Sequence, residues 1–316
     1  MADLSIALDE LVLKNPVMPA SGCFAIEYGD SLDLNQLGAL VIKSVSPRTR
    51  VGNPMPRVAE TPSGMLNSIG IPSKGLAHFR SAVLPLYTRY STPVVVSISA
   101  DTADEFADAC AMMSLPEVSV IEANISCPNL EADGMAFAMS PDTTFQAVSA
   151  IRKRTRHPFW VKLTPNAGDI AQVARAAEEG GANAIVMGNT FLGMAIDVHT
   201  RKPRLGNVMG GLSGPAIKPI ALRMVHQCYR AVRIPIIGCG GIQSADDAIE
   251  FMLAGASAVQ VGTASFRNPA VMRDIVEGLE RYCDTHGVQA IRHLTGQVAL
   301  DRQLSDRWLR FAQQSG

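Results

Sequence analysis

Short apolar runs recur along the chain and alternate with longer segments of helical periodicity. Eight of these runs are predicted to be strands, because they are rich in Val, Ile and Ala and are bounded by Gly, Pro or polar residues. They cover residues 16–20, 39–43, 93–97, 119–124, 159–162, 184–187, 235–238 and 258–261. Strands that are apolar almost throughout, with helices between them, indicate a parallel sheet covered by helices.

Two of the intervening segments carry clear helix signals. Residues 171–179 and 244–253 place apolar side chains at helical spacing. Ser244 is a favourable N-cap, and Asp246 and Asp247 put negative charge in the first turn, where the helix dipole favours it. The second segment is therefore predicted to be a helix capped by Ser244.

A weak repeat suggests that the sheet closes on itself. Near residues 38, 180 and 255 a glycine precedes an alanine and then a strand, and we predict that each glycine is a left-handed helix C-cap. No GxGxxG fingerprint follows the first strand, which counts against a dinucleotide-binding open sheet. We predict a (β/α)8 TIM barrel as a single domain over residues 1–316, with a doubly wound open sheet as the alternative.

Composition narrows the function classes. With 47% hydrophobic residues, 18% charged residues and a net charge of −1, the chain has no charge excess for nucleic acid or an anionic membrane surface. No apolar run reaches the ~18 residues of a membrane span, and the first residues do not resemble a signal peptide, so we expect a cytoplasmic protein. The six cysteines are scattered without CxxC spacing, which argues against disulfides or an iron–sulfur cluster in this chain.

The residues at the carboxyl ends of the predicted strands carry the candidate chemistry, because active sites of such barrels lie there. They are small and polar and almost free of carboxylates, which disfavours a metal-dependent enzyme and predicts no metal site. Gly240-Gly241 and Gly262-Thr263 follow the seventh and eighth strands, where backbone N–H groups commonly bind phosphate. Together with two lysines they predict a phosphate-bearing anionic cofactor.

The fourth strand ends in Asn124-Ile125-Ser126-Cys127-Pro128-Asn129. A thiol in this position is a candidate general base, and the two flanking amides offer both donors and acceptors to the edge of a pyrimidine. A structural cysteine in a turn is the alternative interpretation. The asparagine pair and the prolyl loop favour the catalytic one.

Several motifs in one order resemble the class 1 dihydroorotate dehydrogenases, and most closely the class 1B branch. The resemblance runs from about residue 11 to about residue 291. Its motifs lie at residues 15–24, 52–57, 64–70, 124–129, 161–166 and 210–219. The last of these begins Gly210-Gly211-Leu212-Ser213-Gly214-Pro215.

This resemblance implies FMN at the barrel mouth and dihydroorotate stacked on its ring, in the pathway of pyrimidine biosynthesis. Cys127 matches the catalytic base that takes a proton from C5, while the C6 hydride passes to flavin N5 and yields orotate. Lys43 matches a catalytic lysine beside the flavin and substrate, where its cation can stabilise developing negative charge.

The resemblance also assigns the binding residues. The implied FMN contacts are Ser21, Lys43, Ser44, Ser97, Asn124, Lys162, Gly188, Gly214, Gly240, Gly241, Gly262 and Thr263. The implied orotate contacts are Lys43, Asn67, Ser68, Ile69, Gly70, Ile71, Asn124, Asn129, Asn189 and Thr190. Ser97 stands where close relatives often carry Asn, and Gly188 replaces a bulkier apolar residue. Residues 130–140 begin at the predicted base and are expected to form a lid.

Electrons must leave the reduced flavin, and the class 1B branch implies a partner subunit with FAD and a [2Fe-2S] cluster that reduces NAD. Direct use of fumarate or another small acceptor is the alternative. The resemblance also implies a homodimer core, within a heterotetramer if the partner is present. Residues 295–316 extend beyond the usual end, and their apolar spacing predicts a helix.

Three other functions remain open. A dihydropyrimidine dehydrogenase module is a related flavin barrel with a loop cysteine. A Schiff-base lyase on the same barrel would use Lys162 or Lys43 as the nucleophile. A non-catalytic binding subunit is the third, and the Cys127 and lysine set argues against it.

Overall fold

Eight parallel strands form a ring, and each predicted apolar run supplies one of them. The strands are β1 (Val17–Pro19), β2 (Leu40–Val45), β3 (Val94–Ile98), β4 (Val120–Asn124), β5 (Phe159–Leu163), β6 (Ala184–Met187), β7 (Ile236–Cys239) and β8 (Ala258–Val261). The computed structural model describes residues 2–126 and 136–299. Ring order follows chain order from β2 to β8, after which β8 pairs with β1.

Closure of the ring depends on two contacts of β1. On one side Val259 of β8 lies opposite Val17, in parallel register. On the other side the N–H of Gly38, just before β2, donates to the Val17 carbonyl at 2.9 Å. The (β/α)8 prediction is confirmed, and the open-sheet alternative is wrong.

Helices follow most of the strands on the outside. The longer ones are Ala103–Met112, Pro141–Arg154, Ile170–Glu179, Lys218–Ala231, Ala245–Ala254 and Val271–His286. Shorter helical pieces are Leu76–His78, Phe79–Val83, Leu84–Tyr87 and Ala264–Arg267. The predicted N-cap is confirmed, because Ser244 Oγ accepts from the N–H of Asp247 at 3.2 Å.

The core lies between strands and helices and inside the ring. All five residues of β5 are buried, including the fully enclosed Trp160. The helix Ile170–Glu179 turns Ile170, Val173 and Ala177 inward. Complete burial of each large aliphatic side chain contributes about 1.5–3 kcal/mol, so the apolar runs that predict the strands also stabilise the barrel.

An antiparallel sheet of four strands is added at the carboxyl end of the barrel by two insertions. Its strands, in spatial order, are Phe191–Met194, Met209–Ser213, Gly64–Asn67 and Val58–Thr61. One insertion follows β2 and the other follows β6. Two-stranded pairs are formed by Ile6–Leu8 with Leu11–Leu13, Thr49–Arg50 with Ser73–Lys74, and Ile196–Asp197 with Lys202–Pro203.

The prediction of left-handed glycine caps is only partly correct. Gly255 ends its helix with a positive φ of 124°, but Gly180 has φ −69° and the positive φ falls on Gly181. At Gly38 no α-helix ends, and an added Cβ would collide with the carbonyl oxygen of Asn15. The repeated glycine therefore meets two different requirements, one of backbone conformation and one of space.

Parts of two predicted segments fall outside the described residues. Of the predicted lid, residues 136–140 are described, and Phe137 and Ala138 there are buried. Of the C-terminal extension, residues 295–299 return along the end of the helix Ala245–Ala254, where the N–H of Gly296 donates to the Met252 carbonyl at 2.9 Å. The helix predicted farther along the extension lies outside the described residues. Within the described ranges no helix is long and apolar enough to cross a membrane.

Candidate active site

Two lysines with different surroundings lie at the carboxyl ends of the barrel strands. Lys43 on β2 is partly buried, and its Nζ donates to the Pro72 carbonyl at 2.5 Å. Burial lowers the pKa of Lys43, because its cation has lost part of its hydration. An anionic ligand would compensate for this loss, so Lys43 is suited to bind negative charge.

Lys162 on β5 is the more deeply placed of the two, with only 3% of its surface exposed. Its Nζ lies 3.3 Å from Ser21 Oγ and 3.4 Å from Gln260 Oε1. The structure thus brings together Lys162 and Ser21, which were predicted as cofactor contacts, and adds Gln260, which was not.

Three more predicted cofactor contacts meet between β2, β3 and β4. Ser44 Oγ lies 2.8 Å from Ser97 Oγ, and Asn124 Nδ2 donates to Ser44 Oγ at 3.1 Å. All three side chains are buried. Ser97 Oγ also donates to the carboxylate of Glu122 at 2.9 Å. Serine at position 97 therefore joins a polar cluster inside the barrel.

The same cluster reaches two predicted substrate contacts through Ser126. Ser126 Oγ donates to Asn124 Oδ1 at 2.5 Å and accepts from Asn189 Nδ2 at 2.6 Å. Asn189 Oδ1 in turn accepts from the N–H of Thr190 at 2.8 Å. Ser126 was not predicted as a site residue, although it lies between Asn124 and the predicted base in sequence.

The run of implied orotate contacts over residues 67–71 begins at the end of the strand Gly64–Asn67. Asn67 Nδ2 donates to the Gly211 carbonyl at 3.3 Å, which ties the segment to the second insertion. Ser68 Oγ accepts from Asn53 Nδ2 at 2.7 Å, and the N–H of Asn53 donates to the Ile69 carbonyl at 3.1 Å. Asn53 is thus a supporting residue that sequence reasoning did not single out.

Gly70 and Ile71 give this segment its sharp turn. Gly70 has φ 75°, and a Cβ there would lie 2.5 Å from Asn53 N. Ile71 has φ 47°, an unusual conformation for a β-branched residue. This turn leads directly to Pro72, the acceptor of Lys43, so the predicted substrate segment and the predicted catalytic lysine are in contact.

Glycine loops meet on the other side of the mouth. Gly214, Gly240 and Gly241 all have positive φ, at 102°, 137° and 79°. A Cβ on Gly241 would lie 2.7 Å from Lys218 Cβ and 3.0 Å from the Gly214 carbonyl oxygen. The loops after β7 and after Met209–Ser213 are therefore in contact, and only glycine fits between them.

The remaining predicted glycine-rich positions adjoin these loops. Thr263 Oγ1 and Ser213 Oγ are 2.7 Å apart, which connects the end of β8 to the same strand. Gly262 has room for a Cβ beside Cys23 Sγ at 3.4 Å. The N–H of Gly188 donates to the Cys239 carbonyl at 3.1 Å, which fixes the residue before Asn189 against β7.

An ion pair holds the loop that follows β7. Lys218 Nζ lies 2.6 Å from Asp247 Oδ1, and Asp247 Oδ2 accepts from the N–H of Gln243 at 2.9 Å. Burial alone would raise the pKa of Asp247, but the hydrogen bonds from Lys218 and Gln243 outweigh it and hold that pKa below its ordinary value. The hydrogen bonds to Asp247 and Glu250 raise the pKa of Lys218. Sequence reasoning read Asp247 only as a helix-terminus charge.

The described cysteines are poor candidates for a base. Loss of hydration raises the pKa of Cys23 to about 12 and that of Cys228 to about 12, and it raises the pKa of Cys239 as well. Such thiols stay protonated near neutral pH. The predicted base Cys127 and the substrate contact Asn129 lie outside the described residues. Over the described ranges no three His, Cys, Asp or Glu side chains form a metal-binding group.

A (β/α)8 barrel whose mouth combines two lysines, a set of amides and glycine loops has the architecture of a barrel enzyme. The family model described as dihydroorotate dehydrogenase matches residues 3–283, and the chain belongs to that family.

The curated relatives place the chain within one branch of the family. A protein of a Thermoanaerobacter species is 47% identical over 301 residues, which is 95% of this chain and 100% of the relative. A protein of Pelobacter propionicus is 48% identical over 94% of this chain and 98% of its own length. One from Listeria monocytogenes is 46% identical over 95% and 99%. All three are named "Dihydroorotate dehydrogenase B (NAD(+)), catalytic subunit", so the predicted resemblance to class 1B is confirmed.

A solved structure supports the fold alone. The structure of the dihydroorotate dehydrogenase of Eimeria tenella in complex with ferulenol superposes with a TM-score of 0.78 at 22% identity. The alignment covers 93% of this chain and 88% of that one.

Proposed function

We propose that this protein uses a bound FMN to oxidise dihydroorotate to orotate in pyrimidine biosynthesis. The observation that carries the proposal is the linked pair of amides Asn124 and Asn189, joined by Ser126 immediately before the predicted base Cys127. In a chain of this family, that arrangement would present two amides to a pyrimidine edge, and the predicted base follows Ser126 directly in sequence.

The residues present fit FMN. Gly214, Gly240 and Gly241 adopt conformations that only glycine takes readily, and their loops touch, so backbone N–H groups can surround a phosphate. Gly262 and Thr263 extend this phosphate site, and Gly188 lies beside it. Ser21, Ser44, Ser97, Asn124 and Lys162 would hold the ring, with Lys43 beside both ring and substrate. A bound FMN would supply the acceptor for the hydride that leaves C6 of the substrate.

The protein's own residues supply the proton transfer and the charge balance. Cys127 takes the proton from C5 as general base. Lys43, whose cation has lost hydration and has a backbone carbonyl as acceptor, stabilises the negative charge that develops beside it. The lowered pKa of Lys43 means that anion binding at this position also recovers electrostatic energy lost on burial.

Substrate orientation falls to the amides and to the turn after the strand Gly64–Asn67. Asn67, Ser68, Asn124, Asn129, Asn189 and Thr190 would bind the pyrimidine edges. The backbone around Ile69, Gly70 and Ile71 would bind the carboxylate, since its tight turn is held by Asn53.

Electron transfer onward requires a second protein. The relatives are named as NAD-linked catalytic subunits, which supports a partner that carries FAD and a [2Fe-2S] cluster and reduces NAD. Leu192, Met194 and Ile196, at alternate positions in the insertion after β6, are exposed large apolar side chains, and we propose that they contribute to a homodimer interface. We place the assembly in the cytoplasm.

Anaerobic mixing of the purified protein with single substrates tests the function. We expect a yellow protein whose flavin absorbance is lost on addition of dihydroorotate and is unchanged by dihydrouracil. Reduction by dihydrouracil instead would favour a dihydropyrimidine dehydrogenase activity. A colourless protein that borohydride plus substrate inactivates would show a Schiff-base lyase and contradict the proposal.

A further inference from the structure

Eight polar side chains form one continuous hydrogen-bonded network inside the barrel, which we call the floor network. In order they are Lys162, Gln260, Glu122, Ser97, Ser44, Asn124, Ser126 and Asn189. The network joins the buried Lys162 of β5 to the amides of Asn124 and Asn189. Glu122 stands inside it as its acidic member.

Register explains why Glu122 occupies this position. Glu122 and Asn124 are two residues apart on β4 and therefore point to the same side of the strand, the inside of the ring. Ser97 lies opposite Glu122 in the β3–β4 pair. Gln260 belongs to β8, on the far side of the ring, so its 2.7 Å bond to Glu122 crosses the barrel interior.

The carboxylate is fully enclosed. Glu122, Ser97 and Gln260 all have no exposed surface. Across residues 2–126 and 136–299, the Glu122 oxygens are held by two neutral donors, the Ser97 hydroxyl and the Gln260 amide. A buried acid with neutral partners is costly for a protein to keep. A purely structural role could be filled by an apolar residue, as it is at Val120, Ile121 and Ala123 of β4.

An ionised carboxylate fixes the direction of every bond in the network, because it accepts hydrogen bonds and donates none. The single Ser97 hydroxyl proton is used by Glu122, so Ser97 must accept from Ser44. Ser44 must then accept from the Asn124 amide. Without the carboxylate the Ser44–Ser97 bond could run either way.

The same donor-to-acceptor direction continues along the network to Asn189. Asn124 turns its Nδ2 to Ser44 and its Oδ1 to Ser126, and Ser126 accepts from Asn189. On the other side Gln260 gives its amide N–H to Glu122 and turns Oε1 toward Lys162. Burial raises the pKa of the Cys239 thiol, while Lys162 lowers that pKa and Glu122 raises it, so both side chains act on the same buried thiol.

We propose that Glu122 is a positioning residue that acts as the buried anion of this site. It orients the Asn124 and Asn189 amides through Ser97 and Ser44, and it holds Lys162 through Gln260. It thereby sets both the affinity for orotate and the redox potential of the flavin. The inference rests on the proposed function, because it needs bound FMN and orotate.

Glu122→Gln in the purified holoprotein tests the proposal, since it removes the charge with little change of shape. The new amide must donate to one neighbour, which reverses part of the network, so we expect orotate to bind about tenfold more weakly. Removal of a negative charge favours the reduced flavin. By Coulomb's law at an effective dielectric constant of about 20, two unit charges about 12 Å apart interact strongly enough to change the equilibrium between oxidised and reduced flavin by roughly tenfold. For a two-electron couple this is a rise of about 30 mV in midpoint potential.

Glu117→Gln is the matched control, because Glu117 is exposed and precedes the same strand. It makes the same change in net charge, and we expect it to leave both quantities unchanged. The midpoint potential is measured by equilibration with a reference dye, and the orotate Kd by the spectral change of the flavin. A Glu122→Gln protein that matches the Glu117→Gln control in both measurements would overturn the proposal. A wild-type protein that holds no flavin would instead reject the proposed function.

A charge-swap variant separates charge from shape. Glu122→Gln with Gln260→Glu keeps one buried carboxylate but moves it to β8, against Lys162. We expect the midpoint potential to return to the wild-type value or below it and orotate binding to recover, because the new amide at position 122 donates to the new carboxylate at position 260 and its oxygen accepts from Ser97 as in wild type. If the swap leaves the potential where Glu122→Gln puts it, the charge is not the cause and the proposal fails. If Glu122→Gln alone yields no folded holoprotein, Ser97→Ala decides, because it removes the hydroxyl that links Glu122 to Ser44, and an orotate Kd equal to that of wild type would then overturn the proposal.

Discussion

The ion pair between Lys218 and Asp247 predicts a coupled loss of stability and flavin affinity. Asp247→Ala removes the partner of Lys218 at 2.6 Å and the acceptor of the Gln243 N–H at 2.9 Å. Both bonds hold the loop after β7, which carries Gly240 and Gly241. We therefore expect the variant to unfold more readily and to bind FMN more weakly.

The magnitude follows from what is lost. Side-chain exposure is 27% for Lys218 and 11% for Asp247, so the pair is only weakly screened by solvent. A hydrogen bond to a charged group contributes about 1.5–3 kcal/mol, and Glu250 at 2.9 Å retains part of the interaction with Lys218. A net loss of about 3 kcal/mol lowers the Tm by about 5 °C for a chain of this length, from an unfolding entropy of about 2 cal/mol/K per residue.

The pH dependence has a defined sign. Asp247 has a lowered pKa, so its contribution is full above its ordinary value of 3.8 and is lost as the pH falls through the folded value. Lys218 has a raised pKa, so its contribution is full below its ordinary value of 10.5 and is lost as the pH rises through the folded value. The difference in unfolding free energy between wild type and Asp247→Ala should be constant near neutrality and shrink at both extremes.

Thermal unfolding and FMN titration of the apoprotein provide the assay. Asp246→Ala is the control, because Asp246 is exposed and lies in the same helical turn. We expect the control to lie within about 0.5 kcal/mol of wild type. If Asp247→Ala matches Asp246→Ala in both Tm and FMN Kd, the ion pair does not hold the loop and the reasoning is refuted.

Three further predictions concern the mouth and the added sheet. Gly241→Ala should weaken FMN binding at least tenfold, because its Cβ would lie 2.7 Å from Lys218 Cβ. A Cβ at Gly168 meets open space, so Gly168→Ala should leave the FMN Kd unchanged, and equal FMN Kd values for the two variants would contradict the prediction. Ser126→Ala should weaken orotate binding about fivefold in a flavin-monitored titration, since it removes the hydrogen bond from Asn189. An unchanged orotate Kd would show that the link between the Asn124 and Asn189 amides does not contribute to binding. Leu192→Glu should convert a dimer to a monomer in analytical ultracentrifugation, and an unchanged mass would exclude that surface.

The barrel was predictable because its strands are buried on both faces. β3 and β4 are apolar apart from a few polar side chains, and every residue of both strands is buried. Those exceptions, Ser97, Glu122 and Asn124, all belong to the floor network. Their partners were not predictable, because the bond from Glu122 to Gln260 joins strands that are far apart in sequence and opposite in the ring.

The added sheet escaped prediction for a different reason. Phe191–Met194 and Gly64–Asn67 are short, contain glycine and keep part of their apolar surface exposed, so neither alternation nor a continuous apolar run marks them. Both strands are stabilised by pairing with Met209–Ser213, and no local sequence pattern predicts that pairing. Asn53 and Ser126 were missed similarly, because each acts through a neighbour that only the fold brings close.

The most direct test of the central claim is the rate at which dihydroorotate reduces the bound flavin in wild type and in Cys127→Ala. Cys228→Ala is the control, since Cys228 is buried in the helix Lys218–Ala231 and its raised pKa keeps it protonated. In anaerobic stopped-flow mixing we expect Cys127→Ala to retain FMN and to slow reduction by about 10²–10⁴-fold, with Cys228→Ala close to wild type. A Cys127→Ala protein that keeps its flavin and is reduced at the wild-type rate would contradict the account.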